Sequence, residues 1–181
     1  MNETKYFLSP NEFSVIAAGF GLSMVYGLKQ IDGRLDSKEI CVALHNMYIN
    51  NLIENDNSKQ FVADANLTTI MRRIKSAHFM VQTESKIGSH DCTFCLYPGD
   101  VCVVVEENAA NANKVILYMD EIDRVLNMLV KETSGSPMVV NTMSCANGRV
   151  ICSERLAEQA DGAEKKSLLL KQYEAIMPTE D

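Results

Sequence analysis

Cys92-Thr93-Phe94-Cys95 is the stretch of this 181-residue chain whose residue types and spacing come nearest to a chemical site. Two thiols three positions apart can open a zinc knuckle or form a redox pair, and Cys102 and His90 stand near enough to complete a ligand set. The residues around them argue for another role. A knuckle turns tightly between its cysteines, whereas Thr93, Phe94, Leu96 and Tyr97 favour strands, where positions three apart point to opposite faces. A thioredoxin-type pair opens a helix, and no helix is expected after Cys95. These cysteines are therefore expected to be buried structural thiols, with no metal site and no cofactor. Cys145 and Cys152 flank a hairpin turn and could oppose one another; in a reducing compartment they pack instead of cross-linking.

Other candidate constellations lack partners. Gly19-Phe20-Gly21 would need a preceding strand and a third glycine where Met24 stands to grip a dinucleotide. Lys75-Ser76 lies within a helical pattern and has no glycine loop before it. His45, His78 and His90 are isolated, with no Glu or His four residues away, and Ser144-Cys145 has no acid or base recommended by spacing. Glu106-Glu107 and Asp120-Glu121-Asp123 read as a strand exit and the first turn of a helix, where negative charge complements the helix dipole. No convergent catalytic set emerges, and the expectation is a protein that is not an enzyme.

The elements that would hold these residues follow from periodicity and capping. Ser9-Pro10-Asn11-Glu12 is a capping box before a long apolar run, which predicts a central helix from Pro10 to Leu28. With no positive charge before the run except Lys5, it reads as a buried helix, not as an export signal or membrane anchor. Ile31 to Arg34 reads as a turn. Asp36 and Glu39 repeat the capping box before Ile40, Cys41, Leu44, Met47 and Tyr48, a predicted buried stripe on a second helix ending near Glu54. Asn55 to Ser58 is turn material, Gln60 to Ala63 a short strand, and Asp64 or Asn66 caps a third helix with Leu67, Ile70, Met71 and Ile74 inward.

After Lys86 to His90 the period changes from about 3.6 to about 2. Cys92–Tyr97 and Val101–Glu106 form a hairpin about Pro98-Gly99-Asp100, and Lys114–Met119 adds a strand after a polar loop at 108–113. A helix over Asp120–Lys131 buries Ile122, Val125, Leu126, Leu129 and Val130. Met138–Cys145 and Arg149–Ser153 pair about Ala146-Asn147-Gly148, and Lys165–Met177 is a last helix before an acidic tail. Helices and strands are segregated along the chain, so the fold class is α+β: N-terminal helices packed with an antiparallel meander and hairpin sheet, and a C-terminal helix. A mostly helical subdomain at 1–88 and a sheet-plus-helix subdomain at 89–181, sharing a core or not, is the expected division.

The formal charge of -7 is uneven: residues 1–90 carry nine basic and nine acidic groups, residues 91–181 eight and fifteen. An acidic surface repels phosphate, so nucleic-acid binding would need a local basic patch. One candidate exists. Arg72, Arg73 and Lys75 on the third helix, with the second helix and the Gln60–Ala63 strand, resemble pieces of a winged-helix module. A DNA-binding regulator is thus the alternative function, and it depends on those three side chains sitting together on an exposed face. Ten methionines and no tryptophan supply adaptable apolar surface for a partner groove, or filler for the core.

The opening Phe7-Leu8-Ser9-Pro10-Asn11-Glu12-Phe13 before a long apolar helix resembles the start of EspG-like proteins of type VII (ESX) secretion systems. The later order is similar too: Leu44, then Asn51-Leu52-Ile53, a turn, Phe61-Val62, a helix, and a meander strand carrying Leu96-Tyr97. The likeness spans the first two thirds of the chain. That family is typically longer, with two related α+β halves, so this chain would be a shortened relative, and no individual binding residue carries over. The resemblance implies a cytoplasmic, non-enzymatic chaperone or accessory factor that recognises a small helical-hairpin secretion substrate. The leading expectation is accordingly a protein-interaction protein with a small helical partner, no membrane association and no nucleic acid.

Overall fold

The computed structural model describes residues 4–28, 34–55, 60–111 and 114–178. The turns expected at 31–33 and 56–58 and the acidic tail from 179 lie outside the described residues. In chain order the elements are β1 (Tyr6–Leu8), α1 (Pro10–Gly19), α2 (Ser37–Ile49), β2 (Ile53–Asn55), β3 (Phe61–Ala63), α3 (Ala65–Ser76), β4 (Phe79–Ile87), β5 (His90–Tyr97), β6 (Cys102–Asn108), β7 (Lys114–Asp120), α4 (Ile122–Glu132), β8 (Met138–Ser144), β9 (Val150–Leu156) and α5 (Gly162–Glu174). The fold is α+β. None of the described helices is long and apolar enough to cross a membrane.

Both predicted capping boxes form. Ser9 Oγ accepts from the Glu12 amide at 3.2 Å while the Glu12 carboxylate accepts from the Ser9 amide at 2.7 Å, and Asp36 and Glu39 do the same at 2.8 Å each. The helix ends differ from the expectation. α1 stops at Gly19, not Leu28, because Gly21 turns left-handed at φ +75° and the amides of Leu22 and Gly21 close back on the carbonyls of Ala17 and Ala18, each at 2.9 Å. α2 stops at Ile49, not Glu54, by the same device. Asn51 stands at φ +55°, the Leu52 amide donates to Met47 at 2.9 Å, and the Asn51 amide donates to Tyr48 at 3.1 Å. The residues released after α2 form β2, which pairs antiparallel with β3.

Asp64 caps α3, its Oδ1 accepting from the amides of Asn66 and Leu67 and from the hydroxyl of Tyr6, so one carboxylate ties the helix start to the first strand. The predicted stripe of Leu67, Ile70, Met71 and Ile74 is wholly buried. Each such side chain contributes about 1.5–3 kcal/mol of burial.

The sheet has seven antiparallel strands in the order β1-β7-β6-β5-β4-β8-β9. The change from helix to strand comes at Ala77, not near residue 88. β4 carries no period-2 signal because Met80, Val81, Gln82 and Thr83 are all buried, and a strand covered on both faces shows no alternation. β4 joins β5 on one side and β8 on the other, and β1 joins β7 at the far edge. The sheet therefore draws on both sides of the 88/89 division.

Two cores lie on opposite faces of this sheet. α1, α2, α3 and the β2–β3 hairpin pack over Met80, Cys95, Tyr97, Val103, Val105, Val115 and Leu117. α4 and α5 pack over Val81, Phe94, Leu96, Val104, Ile116, Tyr118 and Val140. The hairpin about Gly148 forms as expected, with that glycine at φ +66° and Tyr26 packed where a Cβ would stand. α5 starts three residues earlier than predicted, capped by Asp161, whose side chain accepts from the Glu164 amide at 2.8 Å.

Candidate protein-binding groove

α2 exposes much of what its sequence pattern assigned to the interior. Ala43 and Met47 are buried and Leu44 is half-buried, but Ile40, Cys41 and Tyr48 of the predicted stripe lie at the surface. Val42 and Ile49, seven residues apart and so on one face, are exposed as well. Beside this helix, Phe61 and Val62 of β3 are also open; Val42, Tyr48, Ile49, Phe61 and Val62 are each between 45% and 60% exposed. Val42 and Ile49 lie on the side of α2 opposite Met47, whereas Phe61 and Val62 line a groove on its packed side.

That groove, of about 260 Å³, is lined by Ile16, Phe20, Leu44, Met47, Ile53 and Phe61, with Arg72 as its one charge. Val15 lines this groove and also a second one of about 670 Å³, formed by α1, the Leu22–Val25 segment, Leu35 and Ile40. The sequence signal for this surface was present, since α2 has more apolar positions than one buried stripe accommodates. Which of them would be exposed depended on the packing.

The three basic residues of α3 do not form one free face. Arg73 turns toward the β5–β6 connection, where Nη1 donates to the Val101 carbonyl at 2.7 Å and Nη2 stands 3.9 Å from the Asp100 carboxylate. Arg72 lies at the groove, and the Lys75 ammonium stands beside Gly21. The β2–β3 hairpin precedes α3 and the long strand β4 follows it, which differs from the helix-then-wing order of a winged helix.

Cys92 and Cys95 fall on opposite faces of β5, one in each core, so their sulfurs diverge. Burial pushes the Cys92 thiol up to about 12, and it raises Cys95 and Cys102 as well. Cys152 stands opposite Thr142, not opposite Cys145, in the β8–β9 register. All six thiols are free. Among the described residues no group of three or more His, Cys, Asp or Glu is placed to hold a metal ion. Gly19-Phe20-Gly21 is a helix end, not the helix start that phosphate binding uses.

Glu106 and Glu107 are buried in β6, contrary to the solvated strand exit expected of them. Desolvation, with the nearby Glu132 carboxylate adding to it, raises the Glu106 acid above its ordinary value. The methionines are mostly core: Met47, Met71, Met80 and Met138 are fully buried, and Met47 alone among them lines the smaller groove. No protein-family model matches the chain, and no curated protein matches it either.

Proposed function

We propose that this chain is a non-enzymatic, cytoplasmic protein-interaction protein, a chaperone or accessory factor that holds a small helical partner. The observation that carries the reading is an apolar groove lined by Ile16, Leu44, Met47, Phe61 and Val62, of which Phe61 and Val62 are exposed. An amphipathic helix places side chains into such a groove at i, i+3, i+4 and i+7. The resemblance to EspG-like proteins supports the same class of function and points to a type VII secretion substrate as the partner.

The test uses the tagged full chain purified from its native cells beside a Phe61→Ser, Val62→Ser variant, both residues lining the groove and exposed. Both positions are at the surface, so the variant folds, which circular dichroism verifies. A partner held in stoichiometric amount by the wild type and lost from the variant is the expected result. A chain that elutes alone, or a partner that the variant retains, refutes this surface as the binding site.

A further inference from the structure

Cys41 and His45 stand one helical turn apart on α2, on the side of the helix opposite the buried Ala43 and Met47. Both are exposed, Cys41 is a free thiol, and no side-chain hydrogen bond or ion pair among the described residues engages either of them. A thiol and an imidazole at i and i+4 share one helix face, the spacing with which a helix presents a pair of ligands to zinc. A structural zinc takes four ligands, and among the described residues no third His, Cys, Asp or Glu is placed to join this pair. The other two must come from outside the chain. The face around the pair is apolar, with Val42, Tyr48 and Ile49 at 51%, 49% and 60% exposure. Three half-open side chains fall far short of the ~800 Å² per partner that a standard interface buries, so this face does not hold a second molecule unaided.

We infer that α2 carries a zinc half-site completed by a second copy of this chain, Cys41 and His45 of two antiparallel α2 helices forming one tetrahedral centre of two thiolates and two imidazoles. In a twofold pair the same surface meets itself, so a second copy brings the two missing ligands in the matching arrangement. Charge favours the same occupant. Each thiol gives up one proton on binding, and two thiolates cancel the dication, which leaves a neutral centre able to be buried among Val42, Tyr48 and Ile49. Lys38 is the one charged residue on this face. It lies a turn before Cys41, and antiparallel packing sets it toward Tyr48 of the second copy, away from the metal. The groove at Leu44 and Met47 is on the other side of α2, so this site is independent of the docking reading above.

The full chain, stripped with a chelator, is titrated with zinc while its mass is followed by sedimentation, and cobalt serves as a spectroscopic stand-in. One zinc per two chains, a monomer that becomes a dimer, and a thiolate-to-cobalt charge-transfer band beside tetrahedral visible absorption are the expected results. Cys41→Ser and His45→Ala, both at exposed positions, should lose the metal and the dimer while keeping the wild-type circular dichroism. Zinc should also abolish maleimide labelling of Cys41 and leave that of Cys152, exposed on another element, unchanged. One zinc per monomer overturns the two-copy centre. No uptake of zinc, uptake that survives both substitutions, or a dimer indifferent to chelator overturns the half-site itself.

Discussion

Arg73 of α3 donates through Nη1 to the main-chain carbonyl of Val101 at 2.7 Å, fastening a helix of one layer to the turn between two strands of another. The contact closes over Gly99, where a Cβ would stand 2.5 Å from that same nitrogen. Arg73→Gln should therefore cost about 1.5–3 kcal/mol of stability, the range of a hydrogen bond to a charged group. Arg72→Gln, one residue away with no such contact, should stay within about 0.5 kcal/mol. Urea unfolding of the two variants checks the difference; equal stabilities would show that the fastening is inert.

Lys165 is buried at 1% exposure, and its ammonium donates to the carbonyls of Thr133 and Ser136 at 2.7 Å each. It thereby caps the C-terminal end of α4 from a neighbouring helix, where a cation is favoured by the dipole. Lys165→Met removes a costly buried charge but orphans the Ser136 carbonyl and leaves that of Thr133 with only the Ser136 amide, and the net loss should be about 2–4 kcal/mol. Thermal and urea denaturation measure it. Hydrogen exchange should show the loop from Thr133 to Ser136 opening first.

Alkaline pH should destabilise the fold through its thiols. Cys92 and Cys102 titrate near 9.0 when unfolded and are pushed up to about 12 when folded, so above pH 9 the unfolded chain binds fewer protons than the folded one. Stability must then fall as pH rises through that window, by about 1.4 kcal/mol per pH unit for each such thiol. Burial lowers Lys165, which works in the opposite sense, its share of the stability growing as pH rises toward 10.5. Urea midpoints from pH 7 upward, compared with Cys92→Ala, test the sign: the variant should show the shallower decline.

Thiol labelling separates the same cysteines by accessibility. Cys41 and Cys152 are exposed, whereas Cys92, Cys95 and Cys102 are buried. A water-soluble maleimide should modify the first two quickly in the native protein and the other three only on unfolding, as peptide mass spectrometry would show. Native labelling of Cys95 at a comparable rate would contradict the packing over β5.

Gly27 and Gly88 make a controlled pair, both at positive φ, +86° and +61°. A Cβ on Gly27 would stand 2.7 Å from Met80 Cε and 3.0 Å from Cys95 Sγ, whereas Gly88 has open space around it. The Gly27 carbonyl also accepts from Gln82 Nε2 at 2.7 Å. Gly88→Ala should cost about 1 kcal/mol from backbone strain alone, and Gly27→Ala at least about 2 kcal/mol because overpacking adds to it. Similar losses for both would mean that the Leu22–Leu28 segment shifts freely over the sheet.

The sequence by itself determined whatever local chemistry fixes. The capping boxes at Ser9 and Asp36, the Asp64 cap, the α3 stripe, the hairpins about Pro98-Gly99-Asp100 and Asn147-Gly148, and the divergence of Cys92 and Cys95 all follow from periodicity and short-range hydrogen bonding. Tertiary structure decided the rest. Periodicity does not register a single left-handed residue, so Gly21 and Asn51 ended α1 and α2 early. A strand buried on both faces has no alternation, so β4 became visible only between its neighbours β5 and β8. An apolar stripe says that a face can be covered, not that another element reaches it. Only the packing of α1 and the β2–β3 hairpin against α2 left Val42, Tyr48 and Ile49 open, and only packing turned Arg73 inward while Arg72 stayed at the groove.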